Sequence, residues 1–165
     1  MIIVEKRLSD AFAQLPPIGD FKPVYKWGNE MHLLKQLKAY SDANESPYPL
    51  IYQTSNESEQ DTVKKICETK LVLVIATRNT ETDLLNDNRW AMSYKSVLYP
   101  VLENIEKVIL RAGIFNSLPS YRLTNFPNYG SGTENFTADI WDALQVEFLD
   151  PLVITNDCIN TQIKF

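Results

Sequence analysis

The sequence predicts a single α+β domain in which a mixed or mainly antiparallel β-sheet packs against two to three α-helices. Apolar residues recur at intervals of three and four in segments 2–15, 30–41 and 89–112, which is the spacing of an amphipathic helix. Segment 71–76 is continuously apolar, and segment 136–148 alternates apolar and polar residues with a period of two. The 165 residues, of which 44% are hydrophobic, suffice for one core.

The first third of the chain predicts a helix, an edge strand and a second helix. Two consecutive prolines at 16–17 end the first helix, because a proline restricts the residue before it to extended conformations. Segment 21–27 is then a short strand, and Pro23, which has no N–H to donate, places it at a sheet edge. Asn29 is expected to cap the helix over residues 30–41.

The middle of the chain predicts the central strands. Segment 48–52 is apolar and bounded by turn residues, which indicates a strand, whereas the acidic segment 54–61 is expected to be an exposed loop. The apolar run at 71–76 belongs in the middle of a sheet, covered on both faces, and a start of this strand as early as Val63 stays open. Segment 79–88 is polar and carries turn signals.

The longest predicted helix covers residues 89–112. Pro100 removes one backbone hydrogen bond from its interior, so we expect the helix to kink or divide there. Gly113 is well placed to end the helix, because glycine readily adopts the left-handed conformation found at helix C-termini.

The last third of the chain predicts a β-hairpin. Segment 121–126 is a strand, and segment 128–132 with its glycines is a flexible hairpin tip. The alternating segment 136–148 is a long strand with one buried face. Trp141 and Asp142 break its alternation, and a β-bulge at that point would explain both residues.

Composition and charge narrow the class of protein. The chain has 16 basic and 21 acidic residues, and its net charge of -5 argues against a dedicated nucleic-acid binder. A mildly acidic surface would still allow DNA to pass without binding, because it repels phosphate. Cys67 and Cys158 lie far apart and outside any CxxC pair, which favours reduced thiols. Charged residues at 5–7 and the lack of a long apolar run argue against a signal peptide and a membrane span, so we expect folding in the cytoplasm. No repeat or linker divides residues 1–165, which form one predicted domain.

No catalytic, cofactor-binding or metal-binding residue is predicted. His32 is the single histidine, has no Cys or acidic residue at ligand spacing, and is interpreted as structural. Asp139 and Asp142 are an odd number of positions apart, so a regular strand points them to opposite faces and not at one metal ion. We interpret Asp139 as solvated and Asp142 as part of the bulge.

Other candidate patterns also have structural interpretations. The Gly-Ser-Gly sequence at 130–132 does not open a helix, so it is interpreted as a loop tip and not as a phosphate-binding loop. The two lysine pairs, which we interpret as solvated surface, are Lys35 with Lys38 and Lys64 with Lys65. The three tryptophans, which we expect in the core or at a subunit interface, are Trp27, Trp90 and Trp141.

A series of features stands in a characteristic order along the chain. They are the Tyr-Pro-Leu-Ile sequence at 48–51, the strand at 71–77, Arg89, the helical sequence at 98–102, the segment 139–144 and Cys158. Over residues 48–158 this order and spacing resembles small virion proteins of tailed bacteriophages, in the neighbourhood of the tail-terminator and tail-completion proteins that form neck rings. The resemblance implies a tail-terminator-like fold and a structural, non-enzymatic role without a cofactor.

The resemblance further implies a homo-oligomeric ring, a hexamer in preference to a dodecamer, at the head-tail junction of the virion. Such a ring stops growth of the tail tube, joins the tail to the connector and lets DNA pass non-specifically through its lumen. Its partners are other neck, connector or tail-tube proteins, it assembles in the host cytoplasm, and no membrane is involved. The alternative is a small cytoplasmic binding or regulatory module, such as a phage-encoded inhibitor of a host protein. An enzyme ranks third, since it needs a polar pocket around His32 or Asp139.

Overall fold

The computed structural model of the chain describes residues 1–43, 45–54, 57–79, 86–129 and 140–165. The helices are α1 (Val4–Phe12), α2 (Glu30–Asp42), α3 (Asn86–Arg89), a π-helix (Trp90–Leu98) and α4 (Tyr99–Arg111). The strands are β1 (Val24–Trp27), β2 (Leu50–Gln53), β3 (Ser58–Asp61), β4 (Ile66–Thr69), β5 (Val72–Asn79), β6 (Tyr121–Tyr129), β7 (Ile140–Phe148) and β8 (Leu152–Thr155). The predicted α+β class is confirmed.

The strands form two sheets. The larger sheet has five strands in the order β1-β2-β5-β7-β6. β1 and β2 are parallel with α2 between them in the chain, and the other neighbouring pairs are antiparallel, so the sheet is mixed as predicted. The smaller sheet is antiparallel, in the order β3-β4-β8. Pro23 directly precedes β1, which is an edge strand, and that prediction is confirmed.

The central strands are buried on both faces because helices cover the larger sheet from both sides. On one face, Ile51, Leu73 and Ile75 pack with apolar residues of α1, the π-helix and α4 in the main core. On the other face, Tyr52 joins a smaller core with apolar residues of α2. Burying a Leu or Ile side chain contributes roughly 1.5–3 kcal/mol, so alternate residues of one strand stabilise opposite layers. This arrangement explains the continuous apolar run at 71–76.

The ends of α2 and α4 are formed by the residues that the sequence indicated. Oδ1 of Asn29 accepts a hydrogen bond from the N–H of His32 at 2.9 Å, which satisfies one of the free N–H groups of the first turn of α2. Gly113 follows α4 with a φ of 76°, in the left-handed region that strains any residue with a side chain. Both predictions are confirmed.

Pro100 lies where the long helix changes type. The π-helix ends at Leu98, and the N–H of Tyr99 donates to the C=O of Tyr94, five residues earlier. In an α-helix a proline ring collides with the C=O four residues before it, and we attribute the wider π-helical turns that lead up to Pro100 to this conflict. The helix changes type just before Pro100, and the backbone stays helical through the change, so no break divides it.

The prediction of an exposed loop over residues 54–61 is wrong in its second half, where β3 forms. Residues 58–60 are exposed, so β3 buries no apolar face, and hydrophobic alternation could not reveal it. A start of the central strand near Val63 is also wrong, because β4 is a separate strand that belongs to the smaller sheet. Pairing with β4, and not local propensity, makes β3 a strand.

The predicted bulge at Trp141 and Asp142 does not occur in β7. β7 pairs with β5 without a break from Ile140 to Glu147, and the only irregularity nearby lies in β6, between Phe126 and Tyr129. Trp141 and Asp142 are both buried, on opposite faces of a strand that has neighbours on either side. The alternation breaks because both faces are covered, and the assumption of one buried face was the error. Of the predicted hairpin tip at 128–132, residues 128 and 129 belong to β6, so the prediction is wrong there, and residues 130–132 lie outside the described residues.

The turn between β3 and β4 gives a first testable prediction. Lys65 has a φ of 57°, in the left-handed region that costs a residue with a side chain about 1–2 kcal/mol. We expect Lys65→Gly to raise the free energy of unfolding by about 0.5–1 kcal/mol, because relief of this strain exceeds the extra flexibility of the unfolded chain. Urea denaturation measures the change. Thr62→Gly, in the same turn, is the control and should lower the free energy of unfolding; a loss with Lys65→Gly as well would contradict the argument.

Candidate interaction site

Of the residues that the sequence singled out for acid–base or metal chemistry, the structure describes His32 and Asp142, which lie in different parts of the fold. His32 is exposed on α2, edge-on to Trp27 with ring centroids 6.3 Å apart, and its Nε2 lies 3.1 Å from Nε2 of Gln36. The described residues contain no group of three or more His, Cys, Asp or Glu that could hold a metal ion. Cys67 is buried and Cys158 is exposed, and both are free thiols as predicted. Among the described residues, no helix is long and apolar enough to cross a bilayer.

The three tryptophans have different environments. Trp141 is fully buried in the smaller core, where its Nε1 donates a hydrogen bond to the hydroxyl of Tyr48 at 2.5 Å. Trp27 and Trp90 are 48% and 50% exposed, which is unusual for so large an apolar side chain. The two lysine pairs, which are exposed as predicted, are Lys35 with Lys38 and Lys64 with Lys65. Two predicted features, residues 130–132 and Asp139, lie outside the described ranges.

Asp142 forms a buried polar cluster with the start of the π-helix. Its Oδ1 lies 3.4 Å from Nε of Arg89, and its Oδ2 accepts a hydrogen bond from Oγ of Ser93 at 2.6 Å. The Asp142 side chain is fully buried and that of Arg89 is 11% exposed. A carboxylate at such a position is stable only with a partner cation and hydrogen bonds. The cluster therefore fixes the π-helix against the centre of the sheet.

A small pocket lies between this cluster and β6. It has a volume of about 150 Å³ and is lined by Arg89, Trp90, Tyr94, Asn125 and Pro127. The ring of Trp90 stacks on that of Tyr94, with centroids 5.9 Å apart and planes 16° apart. We call these five residues the Trp90 pocket. Sequence reasoning missed it, because its members are contributed by a helix and a strand that only tertiary structure brings together.

The hydroxyl of Tyr94 is the unusual group of the Trp90 pocket. The side chain is 4% exposed, and the hydroxyl makes no hydrogen bond within the described part of the chain. Burial, followed by the negative charge of Asp142, raises the pKa of Tyr94 to about 12, so the hydroxyl keeps its proton at neutral pH. A buried donor without an acceptor costs about 1–3 kcal/mol.

Beside the pocket, β6 is the outermost of the described strands of the larger sheet. Among the described strands β6 pairs with β7 alone, and residues 122–125 are all exposed. The N–H of Leu149 donates to the C=O of Ser120, and antiparallel pairing alternates, so even-numbered residues of β6 bond to β7. The backbone groups of Leu123 and Asn125 therefore point away from the sheet. Such an edge is a template for another extended chain.

The sequence matches no known protein-family profile, and no curated protein matches it at a significant level. The site must therefore be interpreted from its own chemistry. An exposed tryptophan, a buried arginine and a buried tyrosine around a small pocket, beside an open strand edge, are the residue types and backbone features that dominate protein–protein interfaces.

Three partly or fully buried tyrosines predict a loss of stability at alkaline pH. Burial is the main cause that raises the pKa of Tyr25, Tyr94 and Tyr121, the last two to about 12. Tyrosine in an unfolded chain ionises near pH 10, so above that pH the unfolded state binds fewer of these protons than the folded state. The contribution of these three tyrosines to the free energy of unfolding should be constant up to about pH 10 and fall above it.

Denaturant titrations from pH 8 to pH 11 measure this dependence. Tyr94→Phe removes one of the three ionisable groups, so its curve should fall less steeply above pH 10. A Tyr94→Phe curve parallel to that of the parent would show that Tyr94 does not contribute.

Proposed function

We propose that this chain is a structural subunit that works by assembling with other polypeptides and catalyses no reaction. In particular, we propose a ring at the head-tail junction of a tailed bacteriophage, as tail terminator or neck ring, with a hexamer favoured over a dodecamer. The ring joins the tail to neighbouring connector or tail-tube proteins and lets DNA pass through its lumen.

One observation carries the assembly role: the open edge of β6 lies beside the Trp90 pocket. Trp90 is half exposed at the start of the π-helix, although tryptophan side chains are highly buried on average. Edge strands are normally protected from pairing. An open edge next to a pocket with aromatic and arginine residues supports an assembly role.

The charge of the chain and the phage resemblance support the more specific proposal. The net charge of -5 suits a wall past which DNA moves without binding. A subunit with two different contact surfaces forms a closed ring when successive contacts return to the first subunit. The phage assignment itself depends on the order of sequence features over residues 48–158.

Two measurements test the proposal. The purified full-length chain should form rings in negative-stain electron microscopy at high concentration or with virion proteins, and mass spectrometry should detect it in purified particles. If virions assemble joined tails in its absence, the phage proposal is wrong. A monomer or dimer that is absent from particles and retains one host protein in a pull-down would instead support the regulatory module.

A further inference from the structure

The end of the chain lies across the C-terminal end of α4 without regular secondary structure. We call residues 158–165 the C-terminal strap. The half-buried side chains of Ile159 and Ile163, four positions apart, pack against the main core, whereas the other residues of the strap are exposed. The strap therefore covers part of the main core with two apolar side chains.

Asn160 fixes the position of the strap on α4. Its N–H donates to the C=O of Ala112 at 2.8 Å, and its Nδ2 donates to the C=O of Arg111 at 3.2 Å. The last C=O groups of a helix have no partner within the helix, so a capping segment has to reach these acceptors. Oδ1 of Asn160 also accepts a hydrogen bond from the N–H of Gln162 at 3.0 Å, which shapes the turn that follows. The end of α4 thus recognises the strap at one defined residue.

The chain is fixed to its own domain just before the strap begins. Arg7 of α1 donates hydrogen bonds from Nη2 to the C=O of Thr155, at 3.1 Å, and to the C=O of Asp157. Cys158 follows and is exposed, so the strap can turn away from the domain at this residue. In extended form the strap reaches roughly 25 Å, about twice the diameter of a helix. This length is enough to cross a contact between two copies.

The contacts described for the strap bury little surface. Besides the bonds of Asn160, Arg111 donates a hydrogen bond from Nη1 to the C=O of Lys164. These bonds lie at the exposed surface, where water competes for the same groups. Every residue of the strap loses conformational entropy on ordering, and segments with few buried contacts open while the rest of a domain stays folded. The strap should therefore leave α4 without unfolding the domain.

We propose that the C-terminal strap exchanges between copies of this chain. In the assembly, the strap of one copy lies on α4 of the next copy, where its Asn160 bonds to the carbonyls of Arg111 and Ala112. Each copy gives one strap and receives one, so the contacts seen within a single chain are all kept and a closed ring leaves none unmade. The other contacts of the ring hold the neighbouring α4 close to the strap, which raises its effective concentration. This inference rests on the proposed ring, for which it names a link between subunits.

Photo-cross-linking of two isotopic forms shows which copy holds the strap. A full-length chain with the photoreactive p-benzoylphenylalanine in place of Phe165 is assembled with a large excess of the parent chain labelled with ¹⁵N. Lys164 contacts Arg111 of α4, so the reactive group lies near this helix. In rings, we expect nearly all cross-links from position 165 to join it to α4 of a ¹⁵N-labelled chain. Cross-links confined to α4 of the unlabelled chain would overturn the exchange.

A matched pair of variants shows whether the cross-link depends on Asn160. Asn160→Asp keeps the acceptor for Gln162 but replaces the Nδ2 donor by an oxygen, and it adds a negative charge at the C-terminus of a helix, where negative charge is unfavourable. It should lower the yield of cross-links to α4 about twofold or more, because loss of a hydrogen bond opens the strap more often. Asn156→Asp makes the same change at an exposed position before the strap and should leave the yield unchanged. Equal yields from the two variants would overturn the proposed role of Asn160.

Amide hydrogen exchange of the full-length monomer, followed by NMR, tests the opening of the strap separately. The N–H of Asn160 should exchange about 100-fold faster or more than that of Ile105, which is buried in the middle of α4. Equally slow exchange at both residues would show that the strap opens only when the domain unfolds, and the exchange between copies would then be wrong.

The outcomes separate the two proposals. Rings in which position 165 reaches only α4 of its own chain would disprove the exchange and leave the ring itself standing. A chain that stays monomeric at all concentrations and is absent from virus particles would disprove both.

Discussion

Asp142→Ala is expected to lower the free energy of unfolding by about 3–5 kcal/mol, enough to unfold many domains of this size. The substitution leaves the guanidinium of Arg89 buried without the carboxylate that compensates it, and it removes the acceptor of the Ser93 hydroxyl. It also removes these polar contacts between β7 and the start of the π-helix. Urea denaturation followed by circular dichroism measures the loss.

Two control variants identify the cause. Asp142→Asn keeps the shape of the side chain and an acceptor for Ser93 but removes the charge. It should therefore lose less stability than Asp142→Ala. The double variant Arg89→Met with Asp142→Leu removes both charges and should recover most of the stability. If the free energy of unfolding of Asp142→Ala lies within about 1 kcal/mol of that of the parent protein, the buried ion pair does not hold the helix to the sheet.

Trp90→Ala is expected to weaken self-association by about 30-fold or more, which corresponds to roughly 2 kcal/mol or more for a tryptophan at the centre of an interface. Trp90 is half exposed in the isolated chain and forms one wall of the Trp90 pocket. An incoming chain would bury the rest of its ring. Sedimentation equilibrium over a range of protein concentrations measures the dissociation constant.

Trp90→Ala should lower the stability of the monomer by less than it weakens self-association. Trp90 contacts the rings of Tyr94 and Tyr99, and aromatic pairs of this kind contribute about 0.5–1.5 kcal/mol each. Met92→Ala is the matched control, because Met92 is exposed to a similar degree on the same helix but does not line the pocket. Equal effects of the two substitutions on association would show that general surface hydrophobicity, and not the pocket, drives assembly.

The sequence by itself determined the features that depend on neighbouring residues. Asn29 caps a helix, Gly113 ends one, and Pro23 marks an edge strand, because each acts through its own backbone geometry or hydrogen-bonding groups. Periodicity likewise revealed the helices, since burial of one face requires that spacing, and the continuous apolar run at 71–76 revealed the central strand, which is covered on both faces. These local rules were enough to predict the α+β class.

Only the tertiary structure decided which distant segments meet. β3 is a strand because β4 lies beside it, and Asp142 is buried because Arg89, 53 positions earlier in the chain, comes to lie against it. The Trp90 pocket likewise joins a helix to an edge strand. Contacts of this kind depend on how whole layers pack, and the free energy that fixes them is shared among many residues, so no short stretch of sequence encodes them.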